Sequence, residues 1–250
     1  MIYAVTLISF ALPIGAMIFW KKRTGVSNQP FIVGAACFVL FAMILEQVLH
    51  TLCIIPDHAV SRAINGSPVL FTLYGALAAG IFEETGRWFG FRVLLRRYKE
   101  KENSVAYGIG HGGIEVILLV GLTYLMMSLA KLGVSLGDAQ TNAMILESAA
   151  ALSPVTAVVV LAERVTAMML HIGLSIMVFA SVNIPGKKYL YPAAILAHAA
   201  ADVPAALFQY GTLKSLAVTE MLAFVSAIAV LCIGVHLYSR MPRIPGGGQG

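Results

Sequence analysis

Charge is scarce in this chain. Lys, Arg, Asp and Glu together make up 12% of its 250 residues, about half the share found in soluble domains. A protein so poor in charge lacks the polar side chains that would cover a water-exposed surface. No polar block is long enough to form a separate soluble domain, so positions 1–250 read as a single transmembrane domain. Cysteine is rarer still. Cys37, Cys53 and Cys232 fall in apolar segments without CxxC or metal-like spacing, which argues for small packing residues and against a disulfide set. No internal repeat is visible, which argues against a transporter built from duplicated halves. The first segment, IYAVTLISFALPIGAMIFW, lacks a basic region ahead of it and a small-residue cleavage site after it. It reads as a retained helix, not a signal peptide.

What the chain has in abundance is apolar surface: 59% of residues are hydrophobic and the mean hydropathy is +0.84. The fold class that follows is all-α, a polytopic helical bundle whose main partner is the lipid bilayer. Windows of about 20 apolar residues place spans near 2–20, 31–55, 68–91, 104–130, 157–184, 189–210 and 216–239. The stretch 138–153, DAQTNAMILESAAALS, is too short and mixed to span, and reads as an interfacial or re-entrant helix before Pro154. Seven spans put Lys21, Lys22, Arg23, Arg92, Arg96, Arg97, Lys99, Lys101, Lys187, Lys188, Arg240 and Arg243 at one end, and only Arg62, Lys131 and Lys214 at the other. The expected orientation is therefore N-terminus outside and C-terminus cytoplasmic. The net charge of +5 is then a topology signal, and no nucleic-acid partner is expected.

Ionisable residues inside the spans are costly and seldom face lipid. They are Glu46, Glu83, Glu84, Arg87, His111, Glu115, Glu163, Arg164, His171, His198 and Asp202. Glu83 with Arg87, His111 with Glu115, and His198 with Asp202 each share a helix face through i,i+4 spacing. Counted from the basic end at about 1.5 Å per residue, Glu83, His111 and His198 lie at similar depth and His171 about a turn deeper. Glu163, Arg164, Glu46 and His50 fall toward the opposite end. Blander readings compete. His50, His58 and His236, taken singly, read as hydrogen-bonded packing residues. Glu84 with Arg87 and Glu163 with Arg164 read equally well as structural ion pairs, and GIGHGGIE as close helix packing; HGGIE is not the HExxH of a zinc protease helix. The ensemble favours chemistry: several imidazoles and carboxylates in a narrow band of depth are groups that bind a transition metal or activate a water. Water is expected to reach them from the basic end, through a mouth near Arg92, Asn103 and Tyr189.

EETGRW, YGIGHGGIEVILL, ERVTAMMLHIGLSIMVF and LAHAAADVPAAL, in that order, resemble the YhfC family of bacterial membrane proteins. That family is grouped with the CAAX prenyl endopeptidase and bacteriocin-processing superfamily, to which PrsW-type proteases and the scaffold subunit of gamma-secretase are related. The resemblance runs over positions 70–210 and implies a catalytic core at 68–210 in a multi-pass protein of the bacterial cytoplasmic membrane. It implies an intramembrane endopeptidase acting on a membrane-embedded or lipidated peptide. Glu83 and Glu84 match the glutamate pair, Arg87 its basic partner, with EExxR in place of the usual EExxxR, and His198 with Asp202 the closing motif. His111 and His171 both match the middle histidine, and the motifs do not choose between them.

Hydrolysis in a dry bundle needs a held water, a base and donors for the oxyanion. Glu83 is the expected base, with Glu84 and Arg87 as an orienting pair. His111, His171 and His198 then either bind zinc, with Asp202 and Glu115 as further ligand candidates, or supply oxyanion donors, with Asp202 fixing an imidazole. Whether a metal or a glutamate-activated water does the work is left open at this level. A non-catalytic scaffold or ligand-binding membrane protein is the alternative, and an ion- or proton-coupled carrier comes third.

Overall fold

The computed structural model describes residues 1–242; Arg243 lies outside them. Among the described residues every regular element is helical, in nine rods: α1 (Ile2–Thr24), α2 (Gln29–Cys53), α3 (Ala59–Asn65), α4 (Pro68–Leu94), α5 (Glu102–Lys131), α6 (Ala139–Ala150), α7 (Pro154–Asn183), α8 (Leu190–Tyr210) and α9 (Leu216–Arg240). The shortest of the long rods, α8, has 21 residues, roughly 32 Å of helix, which covers a hydrocarbon core of about 30 Å. Six rods are long and apolar enough to cross a membrane. The seventh, α4, passes together with α3, from which it is bent by 102°. The spans thus lie where hydropathy alone places them, and α6 is the short helix expected between the fourth and fifth. The protein is a multi-pass membrane protein.

Local chemistry sets the ends of these rods. Ser67 and Ser153 cap α4 and α7 by accepting from the backbone N–H of Leu70 and Thr156, each with proline at the first helical position, where a missing N–H costs nothing. Gly25 and Gly211 end α1 and α8 in the left-handed region, φ 76° and 86°, a conformation glycine adopts without strain. Three stretches, Val39–Glu46, Gly90–Leu94 and Val116–Gly121, are wound as π-helix. Each widens the turn and shifts the faces that follow it. Glu46 ends the first, and Glu115 immediately precedes the third.

The most buried rod is α7: its most apolar stretch is 72% buried, against 17–39% for the other five single-rod spans. It packs against α5, α8, α9 and α4, while α4 pairs with α8 and α2 with α5. Backbones come unusually close where side chains vanish. A Cβ on Gly80 would stand 2.7 Å from the Ile195 carbonyl of α8, and one on Gly108 2.7 Å from the Cα of Ile172 on α7. These two glycines let α4 meet α8 and α5 meet α7 at the depth of the ionisable residues. The basic ends come together as the alternation requires: Lys99 Nζ donates to Asn183 Oδ1 at 2.7 Å, Lys101 Nζ to Tyr238 O at 3.1 Å, and Trp20 Nε1 to Glu102 O at 3.0 Å.

Candidate active site

On a helix, adjacent residues point about 100° apart. Glu83 and Glu84 therefore face different neighbours, and both are buried. Glu84 Oε1 turns to α8, where it lies 2.7 Å from His198 Nδ1. The other nitrogen of that ring, Nε2, is 3.4 Å from Asp202 Oδ2, one turn along the same helix. Carboxylates only accept, so both His198 nitrogens are placed to donate. Glu83 turns to α5, with Oε2 2.9 Å from His111 Nε2 and 3.8 to 4.0 Å from His171 Nδ1 and His198 Nε2. Every one of these contacts is through Oε2.

Arg87 joins the two halves. Fully buried, it sets Nη1 3.3 Å from Glu84 Oε1 and Nη2 3.8 Å from Glu83 Oε2, and Nη2 also lies 3.1 Å from both His111 Nε2 and His171 Nδ1. The i,i+3 and i,i+4 spacing on α4 puts its guanidinium over both carboxylates. Behind His171, Glu115 Oε2 lies 2.5 Å from its Nε2, and Arg164 Nη1 is 3.4 Å from Glu115 Oε1. Glu115 Oε2 makes no hydrogen bond at that contact; the tautomer that suits an oxygen that only accepts carries its proton on Nε2. With Nε2 carrying the proton, His171 presents the Nδ1 lone pair to the cluster.

The matching family model, described as YhfC intramembrane metalloprotease, covers residues 8–223. The chain is also 31% identical over 237 residues, 90% of its own length and 91% of the other, to the uncharacterized membrane protein YhfC of Bacillus subtilis (strain 168).

The chain belongs to the YhfC family.

No solved structure matches it significantly. The family description names a metalloprotease, and the cluster offers a test of that implication. Glu83, His111 and His171, all buried, bring one ligand atom each within 4.8 Å of one another, a His₂Glu donor set of the kind that suits catalytic zinc. His111 Nε2 stands within hydrogen-bond reach of a carboxylate that only accepts and a guanidinium that only donates, and its Nδ1 is buried without a partner. One nitrogen cannot answer both. A cation shared by Glu83 and His111 removes the conflict, because both then offer lone pairs. Charge points the same way. Leaving aside half-exposed Glu163, four carboxyls (Glu83, Glu84, Glu115 and Asp202) face two guanidiniums (Arg87 and Arg164). Even with His198 doubly protonated between Glu84 and Asp202, one negative charge remains, which favours a bound cation. The donor set of Glu83, His111 and His171 fits a metal ion, and Nη2 of Arg87 lies 3.1 Å from the same two ring nitrogens.

The structure brings together every site residue expected from the sequence, but not in the pairs that spacing suggests. His111 and His171 both reach the cluster, their rings 4.7 Å apart. Glu115, one turn after His111, serves His171 on α7 instead of its own helix neighbour. Arg164, expected near the far interface with Glu163, does contact Glu163 and also reaches Glu115. That second role was readable in part, since residues 164 and 171 are two turns apart on one face.

Proposed function

We propose that this protein is an intramembrane endopeptidase that hydrolyses a peptide bond held between α4, α5, α7 and α8. The observation that carries the reading is the division of the glutamate pair: Glu84 is committed to Arg87 and His198, whereas among the described residues no hydrogen bond reaches Oε1 of Glu83. Glu83 Oε1 takes the proton from a water, and the water oxygen attacks the scissile carbonyl. His198 Nε2 donates toward the oxyanion in place of Asp202, with the ring held in orientation by Glu84 at Nδ1. As the C–N bond breaks, Glu83 returns its proton to the leaving amine. Glu83, His111 and His171 would hold a metal ion, and Glu115 fixes His171 so that Nδ1 faces it. A bound ion of this kind lowers the pKa of water and polarises a carbonyl.

The competing reading, a non-catalytic scaffold, has one observation in its favour: Arg87 already stands between His111 and His171 as a structural cation would. Peptide profiles of membranes from cells expressing wild type and Glu83→Gln separate the two. Defined fragments are expected with wild type and a loss of about 10²-fold or more in the variant, with equal amounts of folded protein. Equal fragments in both would refute Glu83 as the base.

A further inference from the structure

A cleft of about 320 Å³ opens between α2, α4 and α8 and is lined by Glu46, His50, Tyr74, Asp202 and Gln209, with Phe71 on an apolar wall. It lies in the half of the bundle away from the basic loops. Its floor is Asp202, the residue 3.4 Å from His198 Nε2, so cleft and cluster share a side chain. The cleft at the basic end does not reach so far. It holds about 380 Å³ among Trp88, Arg92, Ser181 and Tyr191, includes no residue of the cluster, and is bordered by the Thr85 to Tyr191 hydroxyl contact at 2.8 Å. The mouth expected near Arg92 therefore opens onto a cleft that includes none of the cluster's side chains.

The carboxyls separate into two groups. Glu83 and Glu84 each lie against Arg87, and Glu115 against Arg164. The two that line the cleft, Glu46 and Asp202, have only histidine partners among the described residues: His50 Nε2 at 3.2 Å and His198 Nε2 at 3.4 Å. His50 is in turn held by the Tyr74 hydroxyl at 2.9 Å. Glu46 is itself buried and within electrostatic range of Glu83, His198 and Asp202. Carboxyls at bilayer depth with no fixed cation are costly and favour any cation that arrives. No Lys or Arg lines the cleft. At roughly 30 Å³ per water it has room for about ten waters, or for a short extended peptide segment.

We propose that this cleft is the substrate's way in, and that it takes a peptide carrying a positive charge, a Lys or Arg side chain or a free amine, beside the bond to be cut. This rests on the hydrolytic reading above, and the test separates the two. In a background with Cys37, Cys53 and Cys232 replaced by Ala, a single Ala205→Cys thiol in the cleft is treated with cationic ethyltrimethylammonium or anionic ethylsulfonate methanethiosulfonate reagents. Relative to free cysteine, the cationic reagent should be favoured by about tenfold or more, from the side of the membrane carrying α3. Glu46→Gln with Asp202→Asn should abolish the preference. Gln209→Cys repeats the measurement if Ala205→Cys does not fold. In the peptide profiles, wild-type fragments should carry Lys, Arg or a free amino terminus within two residues of the cut. No charge preference in folded protein overturns the cleft proposal whatever the fragments show; fragments without a nearby cation overturn it as the substrate's determinant. A cation-selective cleft with no fragments at all overturns hydrolysis and leaves a cation-binding site.

Discussion

Replacing Arg87 with Met removes the cation that touches Glu83, Glu84, His111 and His171 while keeping an unbranched apolar stem in its place. Glu84 is fully buried, and its Oε2 already lacks a partner. Without the guanidinium 3.3 Å away, its charge keeps only His198. Stranding one partner of a buried ion pair costs about 3–5 kcal/mol, a large share of the 5–15 kcal/mol that holds a typical protein folded. Removing both partners is far milder, because no buried charge is left behind. The assay is unfolding by sodium dodecyl sulfate in mixed micelles, followed through Trp20 and Trp88, the latter next to Arg87 on α4. Arg87→Met should lose about 3–5 kcal/mol, and Glu84→Gln with Arg87→Met should return to within about 1–2 kcal/mol of wild type. With Glu84→Gln alone as the fourth corner, the cycle isolates the Glu84 pair from the loss of Arg87 beside Glu83. An Arg87→Met protein within about 1 kcal/mol of wild type would show that the guanidinium is not compensating a buried charge, and the division of roles between Glu83 and Glu84 would fall with it.

Two further outcomes are expected. Glu115→Gln should weaken zinc binding to the purified protein by about 10- to 100-fold, read by competition with a chelating dye, because the carboxylate that fixes His171 is lost while the three donors remain; unchanged affinity would detach Glu115 from the site. Gly80→Val should lower thermal stability by about 1–3 kcal/mol, since its Cβ would meet the Ile195 carbonyl, whereas Gly15→Val, with nothing within 4 Å of its Cβ, should unfold at the wild-type temperature.

Hydropathy and charge were enough to place the rods, because a bilayer imposes one rule on every segment: its backbone must bond within itself and its surface must be apolar over about 30 Å. The basic residues sort to one end for a similarly simple reason, and Lys99, Lys101 and Trp20 meet their partners there. That the ionisable side chains would cluster was legible too, since each charge inside a span is expensive enough to need a reason. The wiring of the cluster was not. Spacing along one helix groups His111 with Glu115, but Glu115 is closest to His171, because only the crossing of α5 and α7 at Gly108 sets which rings come near. Adjacent Glu83 and Glu84 look equivalent in a string of letters. They part because a 100° turn of α4 sends one carboxylate to His111 and its neighbour to His198. Glu46, His50 and Tyr74 stand 128 to 156 positions from Asp202 on two other helices, too far for any motif to join. Only the packing of α2 against α4 and of α4 against α8 closes a cleft around them.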